Sequence, residues 1–185
     1  MRTVNTASLG LAAALAFAAG SALAQAPQPE TADVVKLDYL QYEGRYYEIA
    51  RLPNWRQRDC DADVVMTFVR RVEGNVSIVY QCFAQDRAWL MDIGLLDVER
   101  SVRPGELYIR PDQIGWRPWQ SGTYRLIEAP ADLSYALVGD AGGSHLWILS
   151  RTRQMSPETY ARLVARAAER GYDTQKLIRN VQNGL

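Results

Sequence analysis

The stretch Val64-Val65-Met66-Thr67-Phe68-Val69-Arg70-Arg71-Val72-Glu73-Gly74-Asn75-Val76-Ser77-Ile78-Val79-Tyr80-Gln81-Cys82-Phe83 sets two runs of β-branched and aromatic residues around a Gly-Asn turn. This pattern predicts a β-hairpin, with Val64 to Arg71 folding back on Val76 to Phe83. In the first run Val64, Met66 and Phe68 fall on one face, and Val65, Thr67 and Val69 on the other. Both faces are apolar, as expected where one lines an interior and the other meets a covering element.

Working outward, six more short apolar segments punctuated by turn residues accompany this hairpin. They are about Tyr46 to Leu52, ended by Pro53-Asn54; Trp89 to Val98; Leu107 to Arg110; Thr123 to Glu128; Ser134 to Val138; and Leu146 to Ser150. A long loop, Pro111 to Gly122, carries two tryptophans. Eight strands with hairpin connections predict an all-β, antiparallel sandwich or barrel, and closure of the sheet would remove its exposed edges.

One helix follows. Ser156 suits the N-cap, Pro157 the first helical position, and Glu158 the positive end of the helix dipole. Tyr160, Leu163, Val164 and Ala167 share a face, Arg162, Arg166 and Glu169 face water, and Gly171 ends the element. A single amphipathic helix must lie on the outside of the sheet. A last short strand is expected at about Lys176 to Val181, at the sheet edge.

The 185 residues, 48% of them hydrophobic, carry 21 Lys+Arg against 21 Asp+Glu. Such a composition predicts one folded domain and excludes a disordered chain. Net neutrality without a basic block argues against nucleic acid as a partner. At the N-terminus, Arg2, the apolar run Ala7 to Ala19 and Ser21-Ala22-Leu23-Ala24 form a signal-peptide pattern. Cleavage is expected after Ala24, with residues 25–36 as a flexible leader and 37–185 as the folded domain. No cysteine near that site could carry lipid, so a soluble, exported, periplasmic protein is expected. In an oxidising compartment Cys60 and Cys82, the only cysteines, read as a disulfide.

Alternation within the strands suggests which residues face inward. Trp89, Met91, Ile93 and Leu95 form the bulkier phase of their strand and are expected to point into the interior. Eight strands make a barrel just wide enough to be filled by side chains or to hold one small ligand. The pattern alone leaves both open.

Gly44-Arg45-Tyr46-Tyr47-Glu48-Ile49-Ala50-Arg51-Leu52-Pro53 resembles the first strand of a lipocalin, whose opening motif is Gly-x-Trp, often followed by Tyr-Glu-Ile in the bacterial and apolipoprotein D-like branch. Leu146-Trp147-Ile148-Leu149-Ser150-Arg151-Thr152 is similar to the last barrel strand and motif Arg of that branch. Tyr135 to Val138 and the Ser-Pro-Glu helix start also match, so that the likeness spans about residues 37–183. It implies an eight-stranded up-and-down barrel with one outer helix and a floor closed by Arg151 stacked on Tyr46. Two positions depart from the pattern. Tyr46 replaces the motif Trp, which weakens the cation–π contact, and Pro130-Ala131-Asp132 stands where the family has Thr-Asp-Tyr.

The resemblance further implies binding of a small hydrophobic ligand such as a fatty acid or lysophospholipid. By strand phase the expected lining is Val64, Met66, Phe68, Ile78, Tyr80, Trp89, Met91 and Trp147. Arg125 is expected to point inward, either to bind an anionic headgroup or to pair with Glu48. Trp55, Trp116 and Trp119 fall in loops at the mouth, where they either pack locally or touch ligand or a membrane surface. No cofactor, metal or catalytic set is expected. A lipocalin-fold enzyme or a ligand-free interaction protein are the alternatives, and His145 alone is thin ground for haem or catalysis.

Overall fold

A computed structural model describes residues 39–84, 89–97, 100–101, 103, 105–111 and 122–184. The expected signal segment, the leader, Trp116 and Trp119 lie outside the described residues.

Eight strands follow one another around a closed antiparallel barrel: β1 (Gly44–Arg51), β2 (Ala62–Arg70), β3 (Val76–Phe83), β4 (Trp89–Leu96), β5 (Glu106–Pro111), β6 (Gly122–Glu128), β7 (Tyr135–Asp140) and β8 (Leu146–Ser150). Each pairs with its neighbour in sequence, and β1 closes the ring by pairing with both β2 and β8. The expected hairpin forms around Gly74, with Phe68 opposite Ile78 and Met66 opposite Tyr80.

Helix α1 (Pro157–Glu169) begins where its sequence signals place it. The Ser156 hydroxyl accepts the Thr159 N–H at 3.2 Å, and the chain leaves through Gly171 at φ +86°. Its apolar stripe, centred on the fully buried Leu163 and Ala167, packs with Ile49, Ala50, Leu137 and Ile148 in an outer core. A separate inner core fills the lower barrel with Tyr42, Tyr46, Phe68, Val76, Ile78, Leu96, Leu107, Tyr124, Ala136, Val138 and Leu149.

The last strand, β9 (Ile178–Arg179), is shorter than expected and bonds to β1 at Ala50 and Arg51. Strand β1 meets β2 only over its first four residues, Gly44 to Tyr47. Where the two diverge, the C-terminal segment enters. The Asn180 N–H donates to the Ile49 carbonyl and the Asp63 N–H to the Val181 carbonyl, while Gln182 Nε2 donates to the carbonyls of Glu48 and Val64 at 3.0 Å each. Backbone groups that a gap would leave unpaired are thereby satisfied.

Two expected strand phases are reversed. In β4, Gly94 lies opposite the inward Ile78 and Leu96 opposite Val76, whereas Ile93 is 37% exposed. Directly opposed residues share a face, so Leu96, not Ile93, belongs to the inward phase; the expected lining at Trp89 and Met91 stands apart from this. Their side chains lie outside the described residues. Bulk misleads in β4 because Gly94 faces inward precisely where space is short: a Cβ there would sit 3.2 Å from Ile109 Cγ2. In β6, Tyr124 and Leu126 face the inner core and Arg125 is exposed on the outer face, opposite Gly139.

Candidate functional site

The barrel interior is built by alternation, and one interruption of alternation sets its chemistry. Between Glu48 and Ala50 the pairing of β1 with β8 shifts by one residue, a β-bulge. Ile49 and Ala50 both turn outward into the core beneath α1, so Glu48 and Arg51 both face inward. In a regular strand, residues three apart face opposite ways.

The bulge thus creates a buried ion pair. Arg51 Nη1 donates to Glu48 Oε1 at 3.2 Å, and the two residues are 4% and 0% exposed. Arg51 Nη2 donates to the carbonyls of Gln57 and Cys60 at 3.1 and 3.2 Å, and Nη1 also reaches Asn180 Oδ1. Asn180 Nδ2 in turn donates to Glu48 Oε1. A buried charge is tolerated only when paired and hydrogen-bonded, and here one loop, one strand and the C-terminal segment each contribute partners. Burial pushes the Glu48 carboxyl up to about 7, against the opposing pull of Arg51 and the hydrogen bonds from Gln57 and Asn180.

Gln57 joins this group from the β1–β2 loop. The loop forms a short 3₁₀ turn, Trp55–Gln57, capped by the Asn54 side chain, which accepts the Gln57 N–H at 3.1 Å. Gln57 is 4% exposed. Its Nε2 donates to Glu48 Oε2 at 2.6 Å and to the Tyr80 hydroxyl, and its Oε1 accepts from Trp147 Nε1 at 2.9 Å and from Asn54 Nδ2. The disulfide Cys60–Cys82 ties this loop to β3, as the cysteine pair predicts.

The expected lining divides accordingly. Phe68 and Ile78 belong to the inner core, against which Met66 and Trp147 pack while only partly covered. Val64 is fully buried beside the disulfide, with Tyr80 packed against it. Arg125 does not enter the barrel, and the partner of Glu48 is Arg51. Strict alternation from Tyr46 assigns Arg51 to the outer face, and nothing local to Gln57 or Asn180 marks either as interior; the missing signal is the bulge, which depends on β8 and α1.

At the opposite end the floor is closed as expected. The Arg151 guanidinium lies 3.9 Å from the Tyr46 ring centroid, and Nη1 donates to the Arg45 carbonyl at 3.2 Å. Gly44 permits this approach: its φ is +103°, and a Cβ would stand 2.9 Å from Arg151 Nη1. The Tyr46 hydroxyl donates to the Leu133 carbonyl at 3.0 Å, and Asp132 accepts the Ser134 N–H, so the β6–β7 turn forms without the Thr-Asp-Tyr pattern.

At the mouth, His145 Nδ1 lies 3.0 Å from Asp140 Oδ2, and its ring stacks on Trp147 and meets Tyr124 edge-on. Trp55 is 49% exposed and borders a recess of about 370 Å³ with Pro53, Asn54, Arg51, Gln57, Arg58 and Ile178. Among the described residues no cluster of His, Cys, Asp and Glu is placed to hold a metal, and no helix is long and apolar enough to cross a membrane.

A barrel of this topology, with an apolar lower interior and a closed floor, defines a calyx-type binding fold. Residues 37–182 match the lipocalin-like domain model. The chain is 31% identical over 155 residues to temperature-induced lipocalin-1 of Arabidopsis thaliana, covering 82% of this chain and 83% of that protein. It is 28% identical over 168 residues to the outer membrane lipoprotein Blc of Escherichia coli K12, covering 90% and 92%. Among solved structures, lobster apocrustacyanin A1 superposes with a TM-score of 0.62 at 18% identity, over 80% of this chain and 81% of that one. The cockroach allergen Per a 4 gives 0.61 at 19% identity, over 80% and 89%. This chain belongs to the lipocalin-like family, whose members bind small hydrophobic ligands.

Proposed function

We propose that this lipocalin is an exported, periplasmic binding protein that stores or carries a fatty acid or lysophospholipid. The carrying observation is the inward apolar surface on which Met66, Ile109, Leu126 and Trp147 remain only partly covered. An acyl chain on that surface gains about 0.8 kcal/mol per buried methylene, and few polar contacts are needed to orient it. A disulfide suits an oxidising compartment, and the similarity to an Escherichia coli protein named an outer membrane lipoprotein supports a place in the cell envelope.

A binding role is preferred over an enzymatic one. Both cysteines are consumed by the disulfide, so neither offers a thiol nucleophile beside His145. Nucleophilic catalysis needs such a neighbour. Contact of the mouth with a membrane surface, through the exposed Trp55, would be transient.

Native mass spectrometry of the protein purified from its host, followed by lipid extraction, tests the proposal. A stoichiometric fatty acid or lysolipid supports the carrier. An empty protein that also fails to bind added lysolipid overturns it and leaves an interaction protein with a filled barrel.

A further inference from the structure

The Gln57 carboxamide occupies the barrel interior with every hydrogen-bonding position of its amide used: two donors, to Glu48 and Tyr80, and two lone pairs, from Trp147 and Asn54. Three of these partners belong to the barrel wall, on β1, β3 and β8, whereas Gln57 itself arrives from a loop. An indole N–H can only donate and a carboxylate only accept. The wall therefore presents a donor beside an acceptor, the complement of a carboxamide. This cradle borders the apolar interior directly: Trp147 packs on the inner core, and Tyr80 is paired in register with Met66, which packs there too.

We propose that the Glu48–Tyr80–Trp147 cradle is a headgroup site for a neutral carboxamide on an apolar chain, and that Gln57 occupies it until such a ligand displaces it. The inference rests on the carrier reading for the apolar chain, and at this end of the barrel it puts a neutral amide in place of the acidic headgroups named above. A carboxylate or phosphate placed there would set an anionic oxygen against Glu48 Oε2, where Gln57 now donates at 2.6 Å. Both Nη groups of Arg51 are already engaged with Glu48, Asn180 and the carbonyls of Gln57 and Cys60, which leaves only its buried Nε to answer an anion. A primary amide repeats the Gln57 contacts and adds burial of its chain. The Asn54 cap and the Cys60 disulfide hold the ends of this loop, so the exchange asks only the Gln57 side chain to move, between the exposed Trp55 and Arg58.

Calorimetric titration of the whole protein at pH 8 with oleamide, oleate and lysophosphatidylcholine tests this. The wild-type protein is expected to bind the amide about tenfold more tightly than the carboxylate, the scale of one hydrogen bond exchanged for a repulsion. Gln57→Ala should tighten amide binding several-fold by removing the competing group. Glu48→Gln, which removes the anion that repels a carboxylate while keeping a hydrogen-bonding side chain, should erase the preference between amide and carboxylate, whereas a merely space-filling Glu48 would leave it unchanged. Equal affinities, or a preference for oleate drawn in by the buried Arg51 Nε, overturn the cradle while leaving the carrier reading intact. Failure of all three to bind overturns both. If either variant loses its near-UV circular dichroism, the wild-type preference alone decides.

Discussion

Glu48 and Arg51 stand three residues apart on one strand, face the same way, and form a buried ion pair at 3.2 Å. The β-bulge between them is the cause. Removing Arg51 would leave a buried carboxylate without its counter-ion and the Gln57 and Cys60 carbonyls without their donor. Arg51→Met should cost about 3–5 kcal/mol in denaturant unfolding, more than Glu48→Gln, which keeps much of the hydrogen bonding. The double variant should cost less than the sum of the singles.

The same burial gives stability a distinctive dependence on pH. With its carboxyl raised from 4.5 to about 7 in the folded state, Glu48 holds its proton in the folded protein over a range where the unfolded chain has lost it. Its contribution is thus fullest below about 4.5 and declines as pH rises towards about 7, by roughly 2–3 kcal/mol. Urea midpoints measured from pH 4.5 to 8 should fall across this window in the wild-type protein and flatten in Glu48→Gln. Towards lower pH the sign reverses through Asp140: its burial is outweighed by hydrogen bonds from His145 and Ser144, which hold the carboxyl below its usual range.

Reducing Cys60–Cys82, which closes a loop of 22 residues, should lower stability by about 3 kcal/mol. Cys60→Ser/Cys82→Ser should reproduce this loss in a thermal scan and be insensitive to reductant, whereas the wild-type midpoint falls on reduction.

At the floor, Arg151→Ala removes the stack on Tyr46 and the bonds to the Arg45 and Gln41 carbonyls. A loss of about 1–2 kcal/mol is expected. Ligand affinity at the far end should be unchanged. Arg125→Ala should likewise leave affinity unaltered, because Arg125 lies on the outer face.

Gly139→Ala tests the outer packing. A Cβ there would lie 2.3 Å from the Tyr172 hydroxyl, which donates to the Asp140 carbonyl at 2.5 Å. Overpacking of this kind costs about 1–3 kcal/mol, and Tyr172→Phe in the same background should recover part of it.

What the sequence by itself determined is local. Strand and helix periods are legible within a few residues, so β3 and β8 begin and end where expected and Ser156 caps α1. In β2 and β3 the phase expected to line the interior is the one that carries Phe68 and Ile78 into the inner core. The cysteines pair as an isolated pair in an exported chain suggests, and Arg151 meets Tyr46 as the family resemblance implies. Tertiary structure decided whatever depends on a neighbour distant along the chain. Both phases of β4 and β6 carry apolar residues, so their inward faces are set by register with adjacent strands rather than by their own pattern. The polar cradle is the plainest case: α1 draws Ile49 and Ala50 outward together, the bulge turns Arg51 inward, and a loop and the C-terminal segment supply Gln57 and Asn180. A buried charge must find partners wherever the fold brings them within reach, and no local pattern announces which residues those will be.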